Sequence, residues 1–335
     1  MKILVTGGLG YIGSETSLYL LKNGYDVVIL DNLSNSKIEV VDKIKELSGK
    51  DITFYQGDMN DEVFLDDIFK KENIEGVIDF AAYKAVGESV KKPVEYYTNN
   101  VSSVLTLLTV MKKYNVKKLV FSSSATVYGA PDVVPIPETA RTGGTTNPYG
   151  TSKLMVERIL KDLYESDNTF DIAILRYFNP IGADPSGLLG ENPNGIPANL
   201  IPYVSKVATG KLEYLSVYGD DYETKDGTGV RDYIHVVDLA IGHIKALDKL
   251  NKDGKGLHIY NLGTGTGYSV LEIIKAFERV NNVSVPYKIV ERRPGDIAEC
   301  YSDATKAKEE LGFVATKTLE DMLRDSFNFE KMNKN

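Results

Sequence analysis

The sequence lacks the features that would tie it to an oxidising compartment or to a membrane. It has one cysteine, Cys300, so no internal disulfide can form, and this fits a reducing cytosol. No apolar run approaches the length of about 18 residues that crosses a bilayer, and the run at the start is too short for a signal peptide. We therefore expect a soluble, cytoplasmic protein.

Positive charge and histidine are also scarce. Acidic residues number 47 against 39 lysines and arginines, a net charge of −8. This balance argues against a general nucleic-acid or membrane-surface binder, so an anion would have to bind at a local site of basic residues or amides. The histidines, His235, His243 and His258, show no metal-ligand spacing, and we expect no metal. His235 stands in an apolar strand and is predicted to be buried and hydrogen-bonded.

The first half of the chain alternates strands with helices. Short β-branched runs predict strands at Lys2–Thr6, Asp26–Leu30, Thr53–Gln56, Gly76–Phe80, Lys118–Ser122 and Asp171–Tyr177. Amphipathic stretches between them predict helices near Tyr11–Asn23, Ser36–Leu47, Asp61–Lys71, Val94–Tyr114 and Pro148–Tyr164. Regular alternation of this kind predicts an α/β fold, a doubly wound parallel sheet of Rossmann type.

The second half differs in texture. Residues 178–232 are rich in glycine, proline and asparagine, and periodic structure returns at Tyr233–Leu250 and Leu257–Asn261. Two more helices are predicted near Val270–Val280 and Leu319–Lys331. We expect one domain from 1–178 plus about 233–261, and a smaller α/β domain from 179–232 plus 262–335. The smaller domain would lie over the carboxyl edge of the sheet, where doubly wound folds bind ligands.

A glycine-rich loop follows the first strand and precedes a helix. Gly7, Gly10 and Gly13 have the spacing that lets backbone approach a pyrophosphate at a helix N-terminus. Asp31 ends the next strand, 18 residues beyond Gly13. A carboxylate there hydrogen-bonds a ribose 2′-hydroxyl and repels a 2′-phosphate. The loop is therefore predicted to bind a dinucleotide, and NAD over NADP.

Tyr149 and Lys153 stand four residues apart at the start of a predicted helix, so their side chains share one face. An adjacent cation favours a phenolate, and we expect Lys153 to lower the pKa of Tyr149. Tyr114 and Lys118 have the same spacing, but Tyr114 lies just before a predicted strand and Lys118 is the first residue of that strand. We interpret Tyr114 as a packing residue. The Tyr149 pair also follows a strand that ends in serines, including Ser124.

The glycine loop, the serine-ended strand and Tyr-x-x-x-Lys, in this order, resemble the extended short-chain dehydrogenase/reductase family. Within it, the chain is similar over nearly its whole length to the NAD-dependent epimerases of nucleotide-activated sugars. The resemblance is carried by the runs Val5–Gly8, Leu30–Leu33, Lys84–Ser89, Phe121–Gly129, Arg176–Pro180, Gly229–His235 and Asn261–Gly263.

The resemblance implies a role for each site residue. Tyr149 would be the catalytic base and acid, Lys153 would hold the nicotinamide ribose, and Ser124 would hydrogen-bond the reacting hydroxyl. The NAD site would comprise these three with Gly7, Gly10, Tyr11, Ile12, Gly13, Asp31, Asn32, Leu33, Ser34, Asn35, Ser36, Asp58, Met59, Phe80, Ala81, Ala82, Tyr83, Lys84, Asn99 and Phe178. The UDP-sugar would be held by Lys84, Ser124, Tyr149, Asn179, Asn199, Leu200, Ser216, Val217, Tyr218, Arg231, Arg293, Asp296 and Cys300. Asp58 and Asn99 have an alternative interpretation as turn or cap residues.

The resemblance further implies the reaction, which is reversible inversion at C4 of a UDP-hexose through a 4-keto intermediate, and a homodimer built on the helices near Val94–Tyr114 and Pro148–Tyr164. A related 4,6-dehydratase would need an Asp-Glu pair where this chain has Ala125 and Thr126. An NAD-sensing protein without chemistry would not need the Tyr/Lys/Ser set. Epimerases of other UDP-sugars, such as UDP-glucuronate, remain an alternative.

Cys300 bears on which sugars fit. In the family, the position four residues after the aspartate of Arg-x-Gly-Asp lines the wall around the sugar 2-substituent, and here that aspartate is Asp296. A small residue at that position implies that N-acetylated sugars are accepted as well. If the match to the family motif were shifted by one residue, Tyr301 would line the wall instead. Which of the two side chains faces the sugar therefore decides whether N-acetylated sugars fit.

Overall fold

The computed structural model describes residues 1–193, 197, 199–252, 256–293 and 295–333. Its strands are β1 (Lys2–Thr6), β2 (Asp26–Asp31), β3 (Thr53–Gln56), β4 (Gly76–Asp79), β5 (Lys118–Ser124), β6 (Asp171–Tyr177), β7 (Asn179–Ile181), β8 (Leu215–Tyr218), β9 (Val230–His235), β10 (Leu257–Leu262), β11 (Gly267–Ser269), β12 (Tyr287–Val290) and β13 (Glu299–Cys300). Its helices are α1 (Tyr11–Lys22), α2 (Val40–Ser48), α3 (Glu62–Glu72), α4 (Val86–Lys91), α5 (Pro93–Tyr97), α6 (Ser103–Lys113), α7 (Pro148–Ser166), α8 (Leu200–Ala208), α9 (Val236–Lys252), α10 (Val270–Asn281), α11 (Thr305–Leu311) and α12 (Leu319–Met332).

Seven parallel strands form the main sheet, in the order β10-β6-β5-β4-β1-β2-β3. The predicted fold class is confirmed. The direction of winding reverses between β1 and β4, so the loops after these two strands diverge. Such a switch point leaves a crevice at the carboxyl edge of the sheet.

Helices cover both faces of this sheet, which is why its strands are continuous apolar runs. One core contains Leu18 of α1, Ile29 of β2 and Leu247 of α9. The opposite core contains Leu107 of α6 and Leu160 of α7. All of these side chains are fully buried, so α7 is held firmly against the sheet.

Two predicted helices differ from those observed. The helix predicted from Ser36 begins at Val40, because the Ser36 hydroxyl donates to Asp31 at 2.7 Å instead of entering a helix. The helix predicted over Val94–Tyr114 is divided into α5, a π-helical turn at Thr98–Ser102 and α6. Asn100 in that turn is buried and hydrogen-bonds both backbone groups of Tyr83, at 2.8 and 3.0 Å, which explains the bulge.

The rest of the chain forms a smaller region with its own core, which includes Val204, Phe277 and Leu323. Strand β9 pairs with β7, β11 and β13, while β8 pairs with β12. Because only Phe178 separates the end of β6 from the start of β7, the small region starts at the carboxyl edge of the main sheet. His235 is buried and accepts from the Val237 amide, as expected. Among helices in the described ranges, none is long and apolar enough to span a bilayer.

Candidate active site

The glycine loop between β1 and α1 brings backbone segments into close contact. Gly7 has a left-handed φ of 62°, and a Cβ there would lie 2.9 Å from the Ala81 nitrogen. A Cβ on Gly13 would collide with the Gly7 carbonyl oxygen. The helix N-terminus therefore opens onto the crevice with bare backbone, the arrangement that receives a pyrophosphate.

Asp31 lies at the end of β2, beside this loop. Its carboxylate accepts hydrogen bonds from the amides of Leu9 at 3.0 Å and Leu33 at 2.9 Å, as well as from the Ser36 hydroxyl. These contacts fix the direction of the carboxylate. A fixed anion at this place fits the free hydroxyls of an adenosine ribose and disfavours a phosphate on them.

A cavity of about 600 Å³ occupies the switch point. Its lining includes every residue predicted for the NAD site except Leu33, whose amide instead orients Asp31. Asp58 and Asn99 both line the cavity, and Asp58 also accepts from the Asn60 amide at 2.8 Å, so its interpretation as a turn residue is compatible with a place in the cavity wall.

Tyr149, Lys153 and Ser124 meet at the same cavity. The first turn of α7 is set by Asn147, whose side chain caps Gly150 at 2.9 Å, and by Pro148 at the first helical position. The Ser124 hydroxyl, at the end of β5, hydrogen-bonds the Tyr149 phenol. Two hydroxyls are thus presented together to any ligand in the cavity.

Charge at this site departs from the expectation. Burial raises the pKa of Tyr149, and the hydrogen bond from Ser124 offsets part of that rise. Lys153 is buried and donates to the Ser122 carbonyl at 2.7 Å, and burial lowers the pKa of its ammonium to about 8, opposed by the charge of Asp79. Desolvation dominates at Tyr149 and Lys153 is not among the groups that shift its pKa, so the net shift is opposite to the expected one.

Two residues of this cavity, Thr126 and Glu191, are not among the predicted site residues. Thr126 donates its hydroxyl to Ser124 at 3.0 Å. Glu191 accepts from the Lys84 ammonium at 2.7 Å and from the Asn199 amide at 2.6 Å, so it connects residues of both regions. Asn179 and Asn199, both predicted to hold substrate, line the cavity, and Leu200 begins α8 directly after Asn199.

The remaining predicted substrate residues lie outside this lining. Ser216, Val217 and Tyr218 belong to β8, and Tyr218 stacks under Arg293, with the guanidinium 4.8 Å from the ring centre. Asp296 contacts Arg231 at 3.7 Å and Arg293 at 3.0 Å. We call Tyr218, Arg231, Arg293 and Asp296 the arginine cluster. Pro294, between its members, lies outside the described residues.

Cys300 lies on β13, paired in register with Arg231. Its side chain packs against a small core that contains Ala125 and Phe178, the latter also in the cavity lining. Tyr301 lies against Gly267 instead, as alternation along a strand requires. Burial raises the pKa of the Cys300 thiol to about 11, so it is a neutral, small side chain.

Comparison with known proteins agrees with this geometry. The family model described as GDP-mannose 4,6 dehydratase matches residues 4–326. UDP-glucose 4-epimerase of Pasteurella multocida (strain Pm70) is 61% identical over 333 residues, which cover 99% of this chain and 98% of that protein. The chain belongs to the UDP-glucose 4-epimerase family. The expected membership of the extended short-chain dehydrogenase/reductases is thereby confirmed.

Two further relatives extend the comparison. UDP-glucose 4-epimerase of Bacillus subtilis (strain 168) is 59% identical over 335 residues, 100% of this chain and 98% of that protein. The crystal structure of the Bifidobacterium longum UDP-glucose 4-epimerase, in complex with NAD+ and UDP, is 56% identical with a TM-score of 0.97, covering 100% of this chain and 99% of that one.

Proposed function

We propose that this protein interconverts UDP-glucose and UDP-galactose by inverting C4, with NAD bound throughout. The observation that carries the proposal is the meeting of the Tyr149 and Ser124 hydroxyls in a cavity whose other end is the glycine loop with Asp31. Membership of the epimerase family supports the same reaction. The reaction needs a site for a dinucleotide and a phenol that can transfer a proton, and the residues of this cavity are suited to both.

The residues present fit NAD. Glycines leave the loop backbone bare, and Asp31 presents an oriented carboxylate. Lys153 would hold the nicotinamide ribose, and the main-sheet region as a whole, residues 1–178 plus about 233–261, would form the NAD domain. When bound, NAD supplies the reversible two-electron oxidation of C4.

Tyr149 would move the proton. It takes the proton of the sugar 4-hydroxyl as C4 is oxidised and returns it to the 4-keto intermediate, while Ser124 holds the oxygen. Burial raises the pKa of the phenol, so Tyr149 is a ready acid and a poor base until positive charge enters the cavity. Lowering the pKa of an ordinary phenol from about 10 to about 7 needs roughly 4 kcal/mol of preferential stabilisation of the anion.

The smaller region, residues 179–232 plus 262–335, would anchor UDP. Arg231 and Arg293 can satisfy a diphosphate, which requires charged donors. Asp296, now bound to both arginines, would be freed to hold the ribose. With binding concentrated on the nucleotide, the sugar is free to turn over and present its other face to Tyr149.

Dehydration of the sugar is disfavoured at the same site. The acid and base that an elimination of water requires would have to stand at Ala125 and Thr126. Ala125 has no titratable group, and the Thr126 hydroxyl is engaged with Ser124 at 3.0 Å. The match to a dehydratase family model therefore reflects shared fold and cofactor chemistry.

A product assay tests the proposed function. Purified protein given UDP-galactose should form UDP-glucose with no net accumulation of NADH. UDP-N-acetylglucosamine and UDP-glucuronate, offered separately, distinguish the related epimerases. Stoichiometric release of NADH during turnover, or conversion of UDP-glucuronate alone, would contradict the proposal.

We also propose that Cys300 allows the enzyme to accept UDP-N-acetylglucosamine. Cys300 faces the side on which Phe178 lines the cavity, whereas Tyr301 faces away. An acetamido group needs more room than a hydroxyl, and overpacking a wall costs about 1–3 kcal/mol. Cys300→Tyr should abolish turnover of the N-acetylated substrate and keep that of UDP-galactose, while Cys300→Ser keeps both. A wild-type protein inert toward UDP-N-acetylglucosamine would contradict the idea.

A homodimer is proposed through α5, α6 and α7. These helices expose Val94 (72%), Leu105 (47%) and Met155 (47%), apolar side chains that a second copy of the chain would cover. Sedimentation of the wild type should give twice the chain mass. Leu105→Glu together with Met155→Glu should give the monomer, whereas Val63→Glu, at another exposed valine, should not.

A further inference from the structure

A buried ion pair anchors α7 to the main sheet. Glu157 lies one helical turn beyond Lys153 and two beyond Tyr149, so the three side chains share a face. Glu157 is 0% exposed and Arg176, on β6, is 1% exposed. The guanidinium donates to both carboxylate oxygens, from Nε at 2.9 Å and from Nη2 at 2.7 Å.

The pair is part of a network across three neighbouring strands. Ser123, Arg176 and Asn261 stand in register on β5, β6 and β10. The Ser123 hydroxyl donates to Glu157 at 2.6 Å, and Arg176 Nη1 donates to the Tyr128 hydroxyl at 2.9 Å, which donates to Asn261 at 2.7 Å. The network therefore reaches α7, which carries Tyr149. It also reaches Ser123, which precedes Ser124, and Tyr128, which ends the short helical turn that follows Ser124.

Stability alone does not account for this arrangement. Two residues earlier on each strand, Phe121, Ile174 and Ile259 pack in the apolar core between sheet and helices. An apolar row at the level of Arg176 would continue that core, and apolar replacements of buried ion pairs are often as stable or more so. A bidentate ion pair also fixes the relative orientation of its two side chains, because its two parallel hydrogen bonds hold both partners in one plane.

We propose that Glu157 and Arg176 are positioning residues for the epimerase reaction. Their ion pair fixes the rotation and height of α7, so that Tyr149 meets Ser124 while Lys153 meets the Ser122 carbonyl. Neither residue reaches the reacting atoms. A misplacement of 1 Å at reacting groups can cost about 100-fold in rate, so a small rotation of α7 suffices. The proposal rests on the proposed function.

The test compares three changes in the full-length, NAD-loaded protein. Glu157→Gln breaks the ion pair while keeping the shape of the side chain. Glu157→Leu with Arg176→Met replaces the pair by apolar side chains, which restores folding stability without restoring direction. Arg158→Gln, next to Glu157 but on the exposed face in a pair with Asp162, is the matched control. Each variant is measured for Tm, bound NAD, KM and kcat with UDP-galactose, and the pH profile of kcat.

A positioning role predicts a particular split between these readouts. Glu157→Gln and the double variant should lose at least tenfold in kcat, with the acid–base limb of the pH profile displaced, while KM and bound NAD stay within threefold. The double variant should do so with a Tm near that of the wild type, and Arg158→Gln should match the wild type throughout. Should Glu157→Gln fail to fold, the double variant decides alone.

Recovery of wild-type kcat in the folded double variant would overturn the proposal and leave the pair a structural role. Should the double variant also fail to fold, Ser123→Ala decides, since it removes only the hydrogen bond to Glu157. A kcat lowered threefold or more at unchanged Tm would support positioning, and an unchanged kcat would overturn it. A wild type that does not convert UDP-galactose would instead contradict the proposed function itself.

Discussion

The carboxyl edge of the main sheet and the arginine cluster are built on different principles. At the sheet edge, Asp31 and Ser124 end strands in parallel register, and α7 is tied down by buried contacts. In the arginine cluster, the charged residues come from β9 and from a loop, and they are held by one another: Asp296 contacts both Arg231 and Arg293. The first site is held by buried contacts, whereas the second consists of partly exposed ion pairs, which under the proposed function would exchange for contacts with a diphosphate.

We therefore expect chemistry and nucleotide binding to be divided between these two sites. Groups that act on the reacting carbon need a fixed geometry, and of the two sites the sheet edge is the one held by buried contacts. Groups that hold the nucleotide can exchange one anion for another, and partly exposed ion pairs permit that at small cost. Substitutions in the two regions should therefore affect different kinetic quantities.

The largest effect is expected from Tyr149→Phe, at the sheet edge. General acid–base groups contribute about 10²–10⁴-fold. The other phenol beside Ser124 in the cavity lining, Tyr177, is hydrogen-bonded to His243, so it is not free to replace Tyr149. We expect kcat to fall by about that factor while bound NAD and UDP affinity are retained. Tyr114→Phe, at the other Tyr-x-x-x-Lys pair, should change kcat less than twofold, because Tyr114 packs against Phe69. Equal damage from both changes would show that the wrong pair was chosen.

The second-largest effect is expected from Gly13→Ala, which should lower the affinity for NAD and leave the binding of UDP unchanged. Its Cβ would collide with the Gly7 carbonyl, and relieving such overpacking costs about 1–3 kcal/mol, or roughly 10- to 100-fold in affinity for NAD. Fluorescence titration with NAD measures this, and calorimetry with UDP should show unchanged affinity. Gly87→Ala is the control, since a Cβ on Gly87 meets nothing within 4 Å. Retention of NAD by Gly13→Ala would mean that the loop is not the pyrophosphate site.

The smallest of the three effects is expected from Arg231→Gln, in the arginine cluster. A hydrogen bond to a charged group contributes about 1.5–3 kcal/mol, and the partial exposure of Arg231 favours the lower end, about tenfold in KM for UDP-galactose. Steady-state kinetics should show kcat changed less than threefold and NAD content unchanged. Arg279→Gln, at an exposed pair with Glu320, should leave both parameters as they are. A large loss in kcat with unchanged KM would remove the distinction between the two regions.

The main sheet could be predicted from the sequence more fully than the smaller region. The six strands predicted in the first half agree with β1 to β6 within two residues, because helices on both faces demand continuous apolar runs. The short strands β7, β8 and β13 are not predicted, since they lie outside the main sheet and each is specified by pairing with a strand distant in the chain. Likewise Asn100 forces a π-helical turn through a contact with Tyr83, 17 positions away.

The pKa of Tyr149 was the expectation that sequence could least support. Spacing shows that Lys153 shares its helical face, but it does not show that the ammonium turns to the Ser122 carbonyl or that the phenol is buried. Glu191 illustrates the same limit. Glu191 hydrogen-bonds both Lys84, 107 residues earlier in the chain, and Asn199, 8 residues later. No local sequence pattern predicts these contacts.

Under the proposed function, oxidation and reduction both occur at C4, within one cavity and with one phenol carrying the proton. Turnover of UDP-galactose deuterated at C4 is the decisive measurement. We predict that the UDP-glucose formed retains the deuterium at C4, because the hydrogen that leaves this carbon returns to it without meeting solvent. Loss of the deuterium to water in step with product formation would contradict the account.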